Sequence, residues 1–351
     1  MEKSLFVRAC SGLQTPQTPI WLNRQAGRYM PEYHRVKGKT PSLDFFKNPE
    51  LSAEVTCDAQ RILDVDAAIL FADLLPILEP MGFKLDYFPE IGPVIENPIR
   101  SISEIDSIKT KESSESMPYI REAIKLIKSS LPANIPLIGF GGAPFTLTSY
   151  AIEGGSSKSY IYVKKLMSSH PKEFSELMDK MTDSIIDYLN YQIISGVDAI
   201  QVFDSWVGCL GVSDYEKHVY RHTKRLFESL IKKVPIIHFG TGNPALLRLM
   251  AAAGGDVMAL DWRAPLKESW NDLGCKSIQG NLDPVALFGS EKSVIKAAKE
   301  ILEDVAGRPG HIFNLGHGIL PQTPLENVKL LVRVVKDYSS EIKSRYQSLG
   351  Y

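Results

Sequence analysis

The chain has 351 residues, of which 44% are hydrophobic and 23% charged, and its net charge at pH 7 is -1, so it can bury a large core and has no overall charge that would attract nucleic acid. No run approaches the roughly 20 apolar residues that a membrane-spanning helix needs, and the first residues, MEKSLFVRACSG, lack the apolar stretch of a secretion signal. These features predict a cytoplasmic protein that binds neither nucleic acid nor a membrane.

Short apolar runs recur along the chain and are predicted to be strands. They lack strict alternation of apolar and polar residues, which is typical of strands buried on both faces of a parallel sheet. A helical pattern follows each run. Eight such units without an intervening linker favour one (β/α)8 barrel, the TIM-barrel architecture, as a single domain over residues 1–351. The eight runs are 19–22, 67–72, 135–140, 198–203, 234–239, 256–260, 276–280 and 311–315.

Two helices carry the clearest apolar stripes. Residues 116–131 place Ile120, Ala123, Ile124 and Ile127 on one face, and a long helix that begins at Pro171 does the same with Phe174, Leu177, Met178, Met181 and Ile185. One segment, residues 83–98, interrupts the alternation of strands and helices. It is predicted to be a β-hairpin inserted after the second strand.

Polar residues follow most of the predicted strands. Active sites of such barrels lie at the C-terminal ends of the strands, so these residues are predicted to form a polar ring around the barrel mouth. They are Arg24, Arg28, Asp73, Gly141, Gly142, Asp204, Ser205, His238, Asp261, Gln279–Asn281 and His317.

Three arginines, Arg24, Arg28 and Arg35, come directly after the first run. If Gly27 permits a helical turn, the side chains of Arg24 and Arg28 project from one face, where two guanidinium groups suit carboxylates or phosphates. The alternative is a solvated surface loop. The apolar residues that follow, Tyr29 to Pro31, favour the anion site.

Asp73 directly follows the second run and is itself followed by apolar residues from Leu74 to Leu78. A carboxylate in such surroundings is costly unless a partner compensates it. Two interpretations remain open: the side chain caps backbone amides, or it is a lone anion that accepts a cationic or NH-rich ligand.

The glycine-rich loop 139–155 lacks the spacing of a nucleotide-binding loop and is predicted to form a wall with Phe145 and Tyr150, with simple packing of Tyr150 as the alternative. His317 lies between two glycines and could approach a ligand or bond to its own loop. His218 and His222 have the spacing of metal ligands, but a solvated helix face is favoured. The four cysteines are far apart and are predicted to be reduced and mostly buried, with no structural zinc site.

Four motifs together resemble the uroporphyrinogen decarboxylase family along nearly the whole chain: RQAGRYMPEY (24–33), GFGGAPFTLTSYAIEGG (139–155), IQGNLDP (278–284) and FNLGHGILPQTP (313–324). The resemblance implies a (β/α)8 fold and a cytosolic homodimer of haem biosynthesis. It also implies that uroporphyrinogen III is converted to coproporphyrinogen III by loss of carbon dioxide from four acetate side chains, without a cofactor or metal.

The same resemblance assigns residues to roles. The substrate loop is Arg24, Gln25, Ala26, Gly27 and Arg28, and Asp73 is the central carboxylate and transition-state stabiliser. Tyr150, Ser205 and His317 are further substrate contacts, and Phe203 helps to line the cleft. One departure is Lys37, where many relatives have an arginine; lysine keeps the charge but not the bidentate fork.

A chemical hypothesis follows for Asp73. It would accept hydrogen bonds from the four pyrrole NH groups and stabilise the cationic ring that forms when a ring carbon is protonated. The proton donor stays open between Arg28, His317, a substrate carboxyl and water. Two rival functions are a corrinoid-linked, zinc-dependent methyltransferase and a non-enzymatic tetrapyrrole carrier. The first is disfavoured because His238-Phe239-Gly240 lacks a ligand cysteine, and the second has no need for a buried carboxylate.

Overall fold

A parallel sheet of seven strands forms the centre of the computed structural model, which describes residues 4–88 and 91–348. The strand order, β1-β4-β5-β6-β7-β8-β9, follows the chain, and each neighbouring pair is parallel. The sheet therefore has the sequential, curled arrangement of an α/β fold. Its strands are β1 (Ala68–Ile69), β4 (Leu137–Gly142), β5 (Ala199–Asp204), β6 (Ile236–Gly240), β7 (Val257–Ala259), β8 (Ser277–Gln279) and β9 (His311–Ile312).

The first predicted strand, residues 19–22, is reduced to a single parallel bridge between Ile20 and Phe313. On one side, Phe313 donates its backbone N–H to the Pro19 carbonyl at 2.9 Å; on the other, Asp66 donates to the Ile20 carbonyl at 2.8 Å. The segment therefore lies between the two outer edges of the sheet. The other seven predicted strands are confirmed, and residues 19–22 contribute only this bridge.

Buried polar side chains connect this first segment to the strands across the interior. Trp21 donates through Nε1 to Gln279 Oε1 at 2.9 Å, Gln279 donates through Nε2 to Gln201 Oε1 at 3.0 Å, and Gln201 donates to Asn23 Oδ1 at 3.2 Å. The prediction that Gln279 belongs to the mouth is wrong, because its amide is used within this buried network. Satisfied networks of this kind favour one register.

Helices cover the sheet on its outer side. The apolar stripes predicted for α6 and α9 are confirmed, because every residue of both stripes is buried. The helices are α1 (Leu5–Cys10), α2 (Pro31–Lys37), α3 (Ser42–Lys47), α4 (Pro49–Leu63), α5 (Ser113–Ser116), α6 (Pro118–Ser130), α7 (Pro144–Glu153), α8 (Ile161–Ser169), α9 (Pro171–Ser195), α10 (Val212–His218), α11 (Tyr220–Ser229), α12 (Leu247–Ala253), α13 (Leu266–Leu273), α14 (Glu291–Val305) and α15 (Leu325–Ser348).

A second, two-stranded sheet occupies part of the segment predicted to be a hairpin. Strands β2 (Leu85–Phe88) and β3 (Gly92–Ile95) pair antiparallel, with Leu85 opposite Ile95 and Phe88 opposite Gly92. The two residues that would join them, 89 and 90, lie outside the described part of the chain.

His238 lies in the helix-facing layer of the sheet, so its predicted place in the polar ring is wrong. Its Nδ1 is 3.2 Å from the carbonyls of Met250 and Gly254, and its ring packs against Phe227 at 4.6 Å. The reason is the alternation of a strand: the next residue, Phe239, faces the interior and packs edge-on against Phe203.

His222 and the cysteines also differ from expectation. His222 is buried instead of solvated, with its Nδ1 3.1 Å from Asp179 Oδ1, because α9 and α11 pack together through charged groups. All four cysteines are free, but only Cys10 is fully buried.

Two buried histidines should make the fold sensitive to acid. Burial lowers the pKa of His238 and of His311 to about 4, whereas an unfolded histidine has a pKa near 6.5. Between these values the unfolded chain binds more protons than the folded one, so stability is present above pH 6.5 and is lost as the pH falls towards 4. At pH 5 each of the two histidines lowers the free energy of unfolding by about 2 kcal/mol relative to neutral pH.

The check is urea unfolding at pH 7 and pH 5 for the wild type and a His311→Gln variant. His311 bonds through Nε2 to the Gly280 carbonyl at 2.9 Å, which glutamine can replace by donating from its amide. We expect the variant to lose less stability on acidification than the wild type does. An identical loss in both proteins would show that His311 does not contribute.

Candidate active site

The first segment of the site, Asn23 to Tyr29, is a series of turns and not the helical turn expected for Arg24 and Arg28. Arg24 has a φ of 60°, in the left-handed region, and its side chain lies against Gly318. A Cβ on Gly27 would sit 3.3 Å from the Arg24 carbonyl, so this turn favours glycine. Both arginine side chains are nevertheless exposed, as an anion site requires.

The side chain of Gln25 anchors this segment. It is buried, its Nε2 donates to the Ala67 carbonyl at 3.1 Å, and its Oε1 accepts from the Leu22 N–H at 3.2 Å. Tyr29 also donates its hydroxyl to the Gln25 carbonyl at 2.6 Å. The side-chain amide of Gln25 is therefore engaged in the scaffold.

Two further cations, Arg35 and Lys37, follow the motif and lie on α2. Arg35 pairs with Glu54 at 3.0 Å and with Asp58 at 2.8 Å on the surface, so it does not join Arg24 and Arg28. Lys37 donates from Nζ to the Thr40 carbonyl at 2.7 Å. Its ammonium group is therefore bonded to the loop that follows α2.

Asp73 follows β1 and keeps its carboxylate free of ion pairs. Oδ1 accepts from the Leu75 N–H at 3.0 Å, and no cation among residues 4–88 and 91–348 comes within 4.0 Å of it. Burial raises the pKa of Asp73, while the Tyr87 hydroxyl, backbone N–H groups and Arg24 counteract the rise. Both interpretations of Asp73 hold in part: it caps a backbone amide, and it remains an unpaired anion.

Tyr87, on β2, lies beside Asp73 and was not predicted from the sequence to do so. Burial first, and then the nearby Asp73 carboxylate, raise the pKa of its hydroxyl. The hydroxyl is buried and has no partner in hydrogen-bonding geometry within the described ranges. The only signal in the sequence was the apolar and aromatic hairpin segment itself, which β2 brings beside Asp73.

An aromatic wall stands next to Asp73. Tyr150, on α7, stacks on Trp206 with ring centroids 3.8 Å apart, and Tyr160 meets Trp206 edge-on at 5.2 Å. Burial raises the pKa of Tyr150, and so does Asp73, which places the two side chains in the same electrostatic environment. Phe145 is fully buried, so its predicted place in this wall is wrong.

The end of β5 contributes Phe203 and Ser205. Phe203 is partly exposed and packs edge-on against Phe140 and Phe239 at 5.7 Å each. Ser205 accepts a hydrogen bond at its backbone carbonyl from Thr241 Oγ1 at 2.8 Å. Between them, the buried Asp204 accepts from Thr146 Oγ1 at 2.7 Å, and burial raises its pKa to about 7. Asp204 therefore lies behind the site, and its place in the predicted ring is wrong.

His317 follows β9 and lies close to two arginines. Burial first, and then Arg24 and Arg263, lower its pKa to about 4, and Asp261 opposes them. The Trp262 ring meets the imidazole edge-on at 6.4 Å. At neutral pH the ring is uncharged, so it can donate or accept a hydrogen bond but is a poor source of protons.

Asp261 follows β7 at the same mouth and is paired. It is buried, with Arg263 Nη1 at 2.8 Å and the Gly242 N–H at 2.6 Å from its Oδ2. No group of three or more His, Cys, Asp or Glu side chains suited to a metal ion occurs in the described part of the chain. Over the same residues, no helix combines the length and apolar character needed to cross a membrane.

Comparison with known proteins gives a consistent result. The family model "Uroporphyrinogen decarboxylase (URO-D)" matches residues 1–338. A protein named uroporphyrinogen decarboxylase from Carboxydothermus hydrogenoformans is 50% identical, covering 95% of this chain and 96% of that protein. One of the same name from Koribacter versatilis is 48% identical, covering 97% of both.

Among solved structures, a methyltransferase from Methanosarcina mazei superposes with a TM-score of 0.81 at 21% identity, covering 95% of this chain and 98% of the other. At that identity the likeness concerns the fold alone. It supports the α/β architecture and carries no information about the reaction.

Proposed function

The chain belongs to the uroporphyrinogen decarboxylase family, and from this premise we propose that it is a carboxy-lyase that converts uroporphyrinogen III to coproporphyrinogen III. Each of four acetate side chains would lose carbon dioxide and become a methyl group. The observation that carries the proposal is the unpaired Asp73 carboxylate, with Arg24, Tyr87 and Tyr150 close to it. The substrate bears four pyrrole NH groups and eight carboxylates, which suit this arrangement.

Asp73 binds the centre of the macrocycle in this proposal. Each pyrrole N–H donates towards the carboxylate, and the hydrogen bonds favour its charged form. Arg24 and Arg28 bind peripheral carboxylates, while Tyr150, Ser205 and His317 supply polar contacts and Phe203 lines the cleft. Gln25, Ala26 and Gly27 contribute backbone groups to the same loop.

The pyrrole serves as its own electron acceptor. A proton adds to the ring carbon next to the one that bears the acetate, which makes the ring a cation whose charge is shared by the acetate-bearing carbon. The bond between the acetate CH2 and its carboxylate then breaks, its electron pair forms an exocyclic double bond, and carbon dioxide leaves. The exocyclic carbon takes up a proton to become methyl, and the ring carbon releases the first proton. Each cycle consumes one proton, and Asp73 stabilises the cationic intermediate without a cofactor.

The first proton comes from a substrate carboxyl or from water. His317 is neutral at physiological pH because burial lowers its pKa to about 4, and a guanidinium group is not deprotonated in proteins. We therefore assign His317 and Arg28 to binding and orientation.

The wider architecture is part of the same proposal. We infer that residues 19–22 complete a (β/α)8 barrel, that the β2–β3 pair is a hairpin inserted after the second barrel strand, and that residues 1–351 form one catalytic domain. The bridge between Ile20 and Phe313 and the bond from Asp66 to Ile20 support closure. A cytoplasmic homodimer is expected from the family, and sedimentation of the purified protein tests the dimer.

The direct test of function is anaerobic incubation with uroporphyrinogen III, followed by oxidation and chromatography of the products. We expect porphyrins with seven, six, five and finally four carboxyl groups. A tetrapyrrole carrier would bind the substrate without forming these products. A methyltransferase would contain zinc and transfer a methyl group, and either result would contradict the proposal.

A further inference from the structure

We propose that Arg263 forms a further carboxylate-binding position at the mouth of the site, next to His317. Its ligand is a carboxylate on the rim of the macrocycle, so this inference rests on the proposed function. Arg263 lies in none of the four motifs that identify the family.

Asp261 and Trp262 fix the position of the Arg263 guanidinium group. Its Nη1 donates to Asp261 Oδ2 at 2.8 Å, and its backbone N–H donates to Asp261 Oδ1 at 2.8 Å. Asp261 itself is fixed, because it is buried and also accepts from the Gly242 N–H. The guanidinium carbon lies 4.0 Å from the centre of the Trp262 ring. A group oriented in this way loses little conformational freedom when it binds an anion.

The remaining donors of Arg263 are available. Its side chain is 46% exposed, and Asp261 is its only hydrogen-bond partner among residues 4–88 and 91–348. A guanidinium has five N–H donors in a planar fork, and one edge can bind a second carboxylate while the first stays in place.

The location faces the proposed substrate. Arg263 is near enough to His317 to lower the pKa of the imidazole, as Arg24 also does. The loops that carry the two residues touch: a Cβ on Gly316 would overlap the Trp262 nitrogen and sit 3.0 Å from the Asp261 carbonyl carbon. Two guanidinium groups from distant parts of the sequence therefore meet at His317, as a substrate with many carboxylates requires.

A purely structural role is the alternative. Arg263 would then only neutralise Asp261 and hold its loop. The two roles differ in what they change: a binding position alters KM and the affinity for carboxylates, whereas a loop anchor alters stability and kcat.

The test compares Arg263→Gln and Arg263→Lys with the wild type. Arg248→Gln is the matched control, since Arg248 is also an exposed arginine paired with one aspartate, but this pair joins two helices, Arg248 on α12 and Asp272 on α13. Steady-state rates with uroporphyrinogen III give KM and kcat. Fluorescence titration with uroporphyrin, which carries the same eight carboxylates and does not react, gives Kd separately.

We expect Arg263→Gln to raise KM and Kd about tenfold with kcat within about twofold, because one charge-assisted hydrogen-bonded contact is lost. Arg263→Lys should recover part of this affinity, and the wild-type Kd should rise more steeply with salt than the Kd of Arg263→Gln does. Arg248→Gln should behave like the wild type.

Unchanged KM and Kd in Arg263→Gln would overturn the inference, and so would a loss of stability and kcat at constant KM. If Arg263→Gln does not fold, the lysine variant decides, since the single point charge should still weaken binding measurably. Wild-type protein that fails to decarboxylate would contradict the proposed function, while the titration would still decide the role of Arg263.

Discussion

Asp73→Asn is expected to reduce kcat by about 10²- to 10³-fold while KM changes by less than about tenfold. Removal of one preorganised electrostatic group from a water-poor site has effects of this size. Asparagine has the same shape and can still accept from the Leu75 N–H through its side-chain oxygen, so the turn after β1 is retained. What is lost is the negative charge that faces the cationic ring. Rates with uroporphyrinogen III under anaerobic conditions provide the measurement.

The control for this variant is Asp44→Asn, which removes an exposed carboxylate from α3. The unfolding temperature of both variants should stay within a few degrees of the wild type, or above it for Asp73→Asn, since an unpaired charge in a partly buried position is costly. An Asp73→Asn enzyme with near-normal kcat would refute the electrostatic role of Asp73.

Arg24→Gln is expected to lower kcat/KM by about 10- to 100-fold, mainly through KM, since it removes a charge-assisted contact to a substrate carboxylate.

The position of the Arg24 side chain can be tested without removing it. A Cβ on Gly318 would overlap Arg24 Cδ and lie 2.8 Å from Cγ, so Gly318→Ala should push the arginine side chain aside and reproduce part of the defect.

Gly211→Ala is the matched control, because a Cβ there meets no atom within 4 Å and the φ of Gly211 is -75°. It should leave kcat/KM unchanged. Equal activity of Gly318→Ala and Gly211→Ala would indicate that the contact between Arg24 and the His317 loop is unimportant, even if Arg24 itself binds substrate.

The surroundings of Asp73 relate its charge to substrate binding. In the unliganded site, burial raises the pKa of this carboxyl, so holding the charge is costly there. Donated N–H groups from the macrocycle would lower that cost. In the proposed function, the substrate centre is thus the compensating partner that the free protein does not supply.

The strands and main helices could be predicted from the sequence because the spacing of apolar residues shows which side chains are buried. The stripe from Phe174 to Ile185 and the apolar run of β5 contain the signal themselves. The first strand could not be judged in the same way. Its apolar residues are buried as expected, but its backbone partners are Phe313 and Asp66, which are distant in sequence. The number of backbone hydrogen bonds that the segment forms with them depends on tertiary packing.

For the candidate site, the motif resemblance named the residues that we propose to bind substrate, and the structure describes their surroundings. Tyr87, Trp206 and Arg263 were missed because an aromatic or arginine residue near a strand has many ordinary roles. His238 was misplaced because the rule that sites follow strand ends does not say which face a side chain takes. Neighbouring side chains on β6 point to opposite faces of the sheet, so a shift of one residue moves a side chain from the interior to the helix layer.

The central claim is that one carboxylate, that of Asp73, binds the centre of the macrocycle. A crystal structure of the complex with coproporphyrinogen III, kept reduced, tests it most directly. We expect all four pyrrole nitrogens to face the Asp73 carboxylate at hydrogen-bonding distance, about 2.7–3.2 Å. A macrocycle whose nitrogens point away from Asp73, or an Asp73 that turns to pair with a protein cation in the complex, would contradict it.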